Sequence, residues 1–143
     1  MALGMRRKAR ESALQVLYQL DGGSQMTVEQ ALAYYWESFD GDAEARAFAD
    51  RLVRGTQTQL GAIDDIITKS SKNWRLERMA RVDRNILRLA VYELKYESEI
   101  PPRVTINEAI EVAKRFGTAE SSAFVNGILD RIAQDLGADG KRG

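Results

Sequence analysis

Two prolines in 143 residues, adjacent at Pro101 and Pro102, constrain this fold more than any other feature of the sequence. Proline removes a backbone donor and clashes with the turn before it, so helices end or bend where it stands. With proline at one site only, long uninterrupted helices can fill both sides of it. The apolar pattern agrees. Ala9, Ala13, Val16, Leu17 and Leu20 fall on one face of a first helix, which Asp21-Gly22-Gly23-Ser24 breaks. Thr27 with Gln30 forms a capping box opening a second helix that carries Leu32, Tyr35 and Trp36. Asp40-Gly41-Asp42 is a turn. A long helical pattern runs over residues 43–69, with Gly55 and Gly61 as places where it bends or splits. Residues 70–73 are a loop, followed by a short turn around residues 76–79.

The next helix, over residues 82–96, carries Ile86, Leu87, Leu89, Ala90, Val91 and Leu94 on more than one face, and is expected at the centre of the core. Residues 98–103 connect it to a helix with a second capping box, Thr105 with Glu108. Gly117 and Gly137 read as left-handed C-terminal caps. No alternating pattern marks a strand. The expectation is one all-α domain over residues 1–143, a single compact bundle of six or seven helices. Residues 1–4 are expected as a disordered leader and 138–143 as a disordered tail.

The chain has no histidine and no cysteine. That excludes Ser–His and Cys–His nucleophiles, histidine or cysteine metal sites, and disulfides. No phosphate-binding glycine loop precedes a helix. Asp64-Asp65 are adjacent, so on a helix they point apart and read as a solvated face; Glu108 and Glu111 share a face, but Glu108 has its cap to serve. No catalyst, metal or cofactor is expected. No stretch of about 18 apolar residues exists, so neither a membrane span nor a membrane partner is expected, and a reducing cytoplasm fits.

Lys+Arg and Asp+Glu balance at 21 each, but their distribution is uneven. Residues 6–10 hold four cations, Arg6, Arg7, Lys8 and Arg10, and no anion, while residues 37–50 hold five acids and one arginine. Cations at a helix N-terminus oppose the macrodipole, and a polyanion would compensate. Arg7, Leu14 and Tyr18 lie along one stripe, with Arg10 between it and the core. Cations beside a tyrosine ring suit phosphates and unpaired bases of single-stranded RNA; a merely solvated helix start is the other reading. Arg81, Arg84, Arg88, Tyr92 and Lys95 form a second stripe, either pairing with acids such as Asp83 or Glu99 or meeting RNA. Phe116 and Phe124 fit either a core or a stacking surface.

Several ordered segments resemble the NusB family of transcription antitermination factors. They are Arg6-Arg7-Lys8-Ala9-Arg10-Glu11 with Ala13-Leu14-Gln15-Val16-Leu17-Tyr18; Val82-Asp83 with the run from Ile86 to Leu94; Ile100-Pro101; the run from Ile106 to Phe116; and the run from Phe124 to Asp130. The resemblance covers residues 6–136. It implies an all-α fold that binds the boxA element of nascent ribosomal RNA with NusE, a small-subunit ribosomal protein, inside an RNA polymerase antitermination complex. It also implies RNA contacts at Arg6, Arg7, Lys8, Arg10, Tyr18, Arg88, Phe116, Glu120, Phe124 and Asn126. Glu120 keeps an acidic family position, while Ala123 stands where some members have lysine. The alternative reading is a non-catalytic all-α adaptor or homodimer without specific RNA recognition.

Overall fold

The computed structural model describes residues 3–138. Its α-helices are α1 (Leu3–Asp21), α2 (Val28–Ser38), α3 (Ala43–Thr58), α4 (Leu60–Ser70), α5 (Arg81–Tyr96), α6 (Pro102–Phe116) and α7 (Ser121–Ala138), with a 3-10 turn at Leu76–Arg78 before α5. Seven α-helices and no strand among the described residues match the expected all-α bundle. Leu3 and Gly4 already belong to α1, and Ala138 closes α7. The remaining leader and tail residues lie outside the described residues.

Helix α5 is the axis, as its all-round apolar pattern requires. Every residue from Asn85 to Leu94 is buried. Helices α1, α3, α4, α6 and α7 all pack on α5, α1 also packs along α3, and α6 pairs with α7. The fully enclosed side chains Leu17, Leu52, Ile63, Ile67, Leu87, Leu94, Leu129 and Ile132 come from five helices and form one core.

Local signals were read with mixed success. The Thr27–Gln30 capping box forms, with both reciprocal hydrogen bonds present. Gly23 turns the chain after α1 with φ +80°, the one positive φ among the described residues. The long pattern over residues 43–69 does split, but at Gln59 rather than at either glycine. Gly55 stays helical, and its missing Cβ leaves room for the Tyr92 ring to pack against α3.

The second capping box does not form. Helix α6 begins four residues earlier, with Pro101 at its N-cap and Pro102 in its first turn, where a missing N–H costs nothing. Thr105 and Glu108 are therefore inside the helix, and both turn inward. Gly117 is not left-handed; its backbone is extended (φ −97°, ψ −165°). A side chain there would collide with Ser121, whose hydroxyl accepts from the Thr118 N–H at 2.9 Å. Gly137 does not terminate its helix, and its φ is not positive.

Candidate nucleic-acid interface

The four N-terminal cations separate into two kinds. Lys8 is exposed and makes no ion pair among the described residues. Arg6 is half-buried and lies 4.8 Å from the centroid of the Phe48 ring. Arg7 is partly exposed, and its guanidinium donates twice to Glu108, at 2.9 and 2.7 Å. That hydrogen bond holds the Glu108 carboxyl below its ordinary pKa despite burial.

Arg10 departs from the expected surface cation. Its side chain is 2% exposed and donates to both carboxylate oxygens of Glu93, at 2.8–3.2 Å. Glu108 lies 3.7 Å from its remaining nitrogen, and the Thr105 hydroxyl donates to Glu93 at 3.2 Å. This network ties α1 to α5 and α6. Only about 2.3 turns of α1 separate buried Arg10 from Tyr18, so the network sets where the rest of α1 stands.

Arg88 is likewise internal. It is buried, donates to Asp64 at 2.9 and 3.0 Å, and pairs with Asp21 at 3.2 Å. Arg84 joins the same Asp21 at 2.6 Å. Burial raises the Asp21 pKa, but Arg84, Asn85 and Arg88 outweigh it and leave the carboxyl below its ordinary value. Arg84 and Arg88 of the second stripe thus pair with acids, though with Asp21 and Asp64 rather than Asp83 or Glu99, while Arg81 and Lys95 make no ion pair among the described residues. Asp64 is a brace and not part of a solvated face.

Tyr18 is 38% exposed, and its hydroxyl makes no hydrogen bond among the described residues. The Arg81 guanidinium lies 3.7 Å from its ring centroid. Two clefts meet alongside. One of about 450 Å³ is lined by Lys8, Glu11, Ser12, Gln15, Tyr35, Trp36, Asp40, Asp42 and Arg115, and so mixes two cations with three acids. An aromatic one of about 390 Å³ is lined by Leu14, Gln15, Tyr18, Gln19, Tyr34, Tyr35, Ser38, Phe39, Val82 and Phe116. Gln15 and Tyr35, 3.4 Å apart in a hydrogen bond, line both, so the two clefts adjoin along α1.

The structure brings Tyr18 and Phe116 together in one cleft and places Lys8 in the adjoining one with Arg115, which pairs with Glu11 at 2.8 Å. It does not bring Phe124 or Asn126 into either cleft. Phe124 packs edge-on against Trp74 at 5.6 Å, Asn126 is half-buried on α7, and exposed Glu120 accepts from the Thr118 hydroxyl at 3.2 Å. Tyr34, Phe39 and Arg115, which line these clefts, are not singled out by the sequence reading. The aromatic density Tyr34-Tyr35-Trp36 with Phe39 was the available signal. Among the described residues no group of acids is placed to hold a metal ion, and no helix is long and apolar enough to cross a membrane.

The fold is an all-α bundle whose first helix presents an exposed cation, Lys8, and a partly exposed aromatic ring, Tyr18, beside two adjoining clefts. Comparison makes the assignment specific. The NusB family model matches residues 7–134. The chain is 50% identical to the transcription antitermination protein NusB of Sorangium cellulosum, over 94% of this chain and 96% of that one. It is 54% identical to that of Geobacter sulfurreducens, over 94% and 97%. A solved T. maritima NusB is 44% identical, covering 91% of each chain with a TM-score of 0.82. A crystal structure of antitermination factors NusB and NusE with dsRNA matches at 28% identity and TM-score 0.83, over 94% and 99%. The chain belongs to the NusB family.

Proposed function

We propose that this protein is an RNA-binding transcription antitermination factor. It binds the boxA element of nascent ribosomal RNA with NusE and helps RNA polymerase resist termination, in the cytoplasm and without catalysis. The observation that carries the reading is the α1 surface, where two adjoining clefts run from Lys8, which makes no ion pair among the described residues, to the partly exposed Tyr18 ring. Cations hold phosphates and a ring face takes a base, which suits a single strand. Arg6, Arg7 and Lys8 form the phosphate-binding end, with Tyr18 and Phe116 in the aromatic stretch. Arg10 and Arg88 support this surface from inside. Glu120, Phe124 and Asn126 lie outside both clefts and serve a continuation of the RNA path or the NusE contact.

The salt dependence of RNA binding tests the phosphate assignment. Lys8→Ala is expected to flatten the slope of log affinity against log salt by about 0.7, the release expected for one phosphate contact on a single strand. Arg6→Ala and Arg7→Ala should each flatten it by up to that amount. An unchanged slope in all three would remove α1 from the RNA interface.

A solved relative is assembled with both NusE and RNA. Few cations line the clefts, so affinity for RNA alone should be modest, and a partner touching the same strand adds to it. NusE is expected to tighten boxA RNA about tenfold, a coupling of roughly 1.4 kcal/mol, and RNA should tighten NusE by the same factor. Independent binding in both titrations would favour a simple adaptor.

A further inference from the structure

We propose that Glu108 of α6 is a positioning residue for RNA: its carboxylate fixes the Arg7 guanidinium so that the free edge of the fork takes one phosphate group. The inference rests on the RNA-binding reading and adds to it a residue that touches no RNA itself.

A guanidinium is a planar fork with five N–H donors and two usable edges. Glu108 occupies one edge of Arg7, accepting from Nε at 2.9 Å and from Nη2 at 2.7 Å. Nη1 makes no hydrogen bond or ion pair among the described residues, and the side chain is 38% exposed. The second edge, Nη1 with the remaining N–H of Nη2, is therefore the one left to bind. Its two donors match two oxygens of a phosphate.

The alternative is that phosphate displaces Glu108 from Arg7, and the surroundings of Glu108 oppose it. Its side chain is 6% exposed and stands within α6 rather than at its end. The other cation within ion-pair distance is Arg10, whose Nη1 lies 3.7 Å away and is buried without a hydrogen bond. Arg10 spends its remaining nitrogens on Glu93. Parting Arg7 from Glu108 would leave a buried carboxylate without its close partner, which is strongly unfavourable. Arg7 also holds the Glu108 carboxyl below its ordinary pKa, so it stays an anion at neutral pH. Phosphate adds to the pair and does not replace half of it.

What Glu108 contributes is order. A long side chain loses rotamer freedom when it grips a ligand. Here that freedom is given up on folding, before RNA arrives. The neighbouring cation works differently, since Lys8 is exposed and makes no ion pair among the described residues. Lys8 attracts phosphate as a mobile point charge, whereas Arg7 acts by directed hydrogen bonds at contact. Two opposite expectations follow for loss of the Glu108 charge. By Coulomb's law alone, removing an anion beside a phosphate site strengthens RNA binding. If Glu108 positions the fork, removing it weakens RNA binding.

The test is boxA-like RNA binding by the full-length protein with NusE, for Glu108→Gln and Glu108→Asp, each made in the wild-type chain and in Arg7→Ala. Glu108→Gln removes the charge at nearly constant size. Glu108→Asp keeps the charge and withdraws the carboxylate by one methylene. Both should weaken RNA binding about fivefold, the cost of ordering one long side chain anew. In the Arg7→Ala background both should act within about twofold, the usual scatter of such cycles. Arg7→Lys, which keeps the charge without the fork, should also bind about fivefold more weakly, with the salt slope unchanged. Circular dichroism checks that each chain is folded; if the Glu108 variants fail to fold, Arg7→Lys decides alone. Tighter RNA binding by Glu108→Gln overturns the proposal and makes Glu108 a brake on Arg7. An equal loss with and without Arg7 also overturns it, and traces the effect to the packing of α1 through Arg10. Wild-type affinity in Arg7→Lys overturns it too. All three leave the RNA-binding reading intact, whereas absence of RNA binding by the wild type overturns both.

Discussion

Glu93→Ala is expected to lower the free energy of unfolding by about 3–5 kcal/mol, as measured by urea denaturation followed by circular dichroism. The substitution leaves the Arg10 guanidinium 2% exposed with neither of its close oxygens; Glu108, at 3.7 Å, is too distant to replace them and is already bound to Arg7. The Thr105 hydroxyl loses its acceptor in the same step. A buried charge without a partner is far more costly than no charge at all. Tm should fall on the order of 10 °C for a domain of this size. Replacing the pair together, Arg10→Met with Glu93→Leu, should recover most of the loss, because desolvation offsets much of what a buried pair gains. A cost below about 1 kcal/mol for Glu93→Ala would mean that the network does not hold α1 in place.

This prediction marks where the sequence stopped being legible. The helices were readable because their signals are local: apolar spacing, one proline site, and a glycine pair after α1. The centrality of α5 was readable too, since apolar residues around more than one face leave no side for water. Arg10 was not readable as an internal brace. Its partner is 83 residues away, and nothing in Arg6-Arg7-Lys8-Ala9-Arg10 distinguishes the buried cation from its exposed neighbours. The same long-range pull misled the reading of α6. Thr105 and Glu108 have the spacing of a capping box, but Glu93 takes the Thr105 hydroxyl and Arg7 takes Glu108. The prolines beside them, at the N-cap and N1, were the better start signal.

The candidate site was half visible for a related reason. Helical spacing alone places Arg7 and Tyr18 on one stripe of α1, with Lys8 off it. The other walls of the cleft beside Tyr18 come from α2, from the start of α5 and from the end of α6. Their convergence depends on how helices cross, which periodicity does not encode. Arg81 illustrates the point. It read as one member of a cationic stripe along α5, whereas packing sends Arg84 and Arg88 to Asp21 and leaves Arg81 alone to meet Tyr18.

Tyr18→Ala should weaken boxA RNA binding by about 1–3 kcal/mol, the range for loss of one base stacked on an aromatic ring. Tyr18→Phe should cost much less, because the ring remains and the hydroxyl has no hydrogen-bond partner to lose. The slope of affinity against salt should stay unchanged in both, since neither removes a cation; this separates Tyr18 from Lys8, whose loss acts on slope and affinity together. Fold stability is expected to change little in Tyr18→Phe. In Tyr18→Ala the Arg81 guanidinium loses the ring it rests on, so circular dichroism and urea unfolding should accompany the binding titration. Normal RNA affinity in a folded Tyr18→Ala variant would show that the ring is idle, and would move the stacking surface elsewhere along the clefts. Equal losses in Tyr18→Ala and Tyr18→Phe would show instead that the hydroxyl reaches the RNA. A large loss in the first and a small one in the second is the pattern that stacking alone produces.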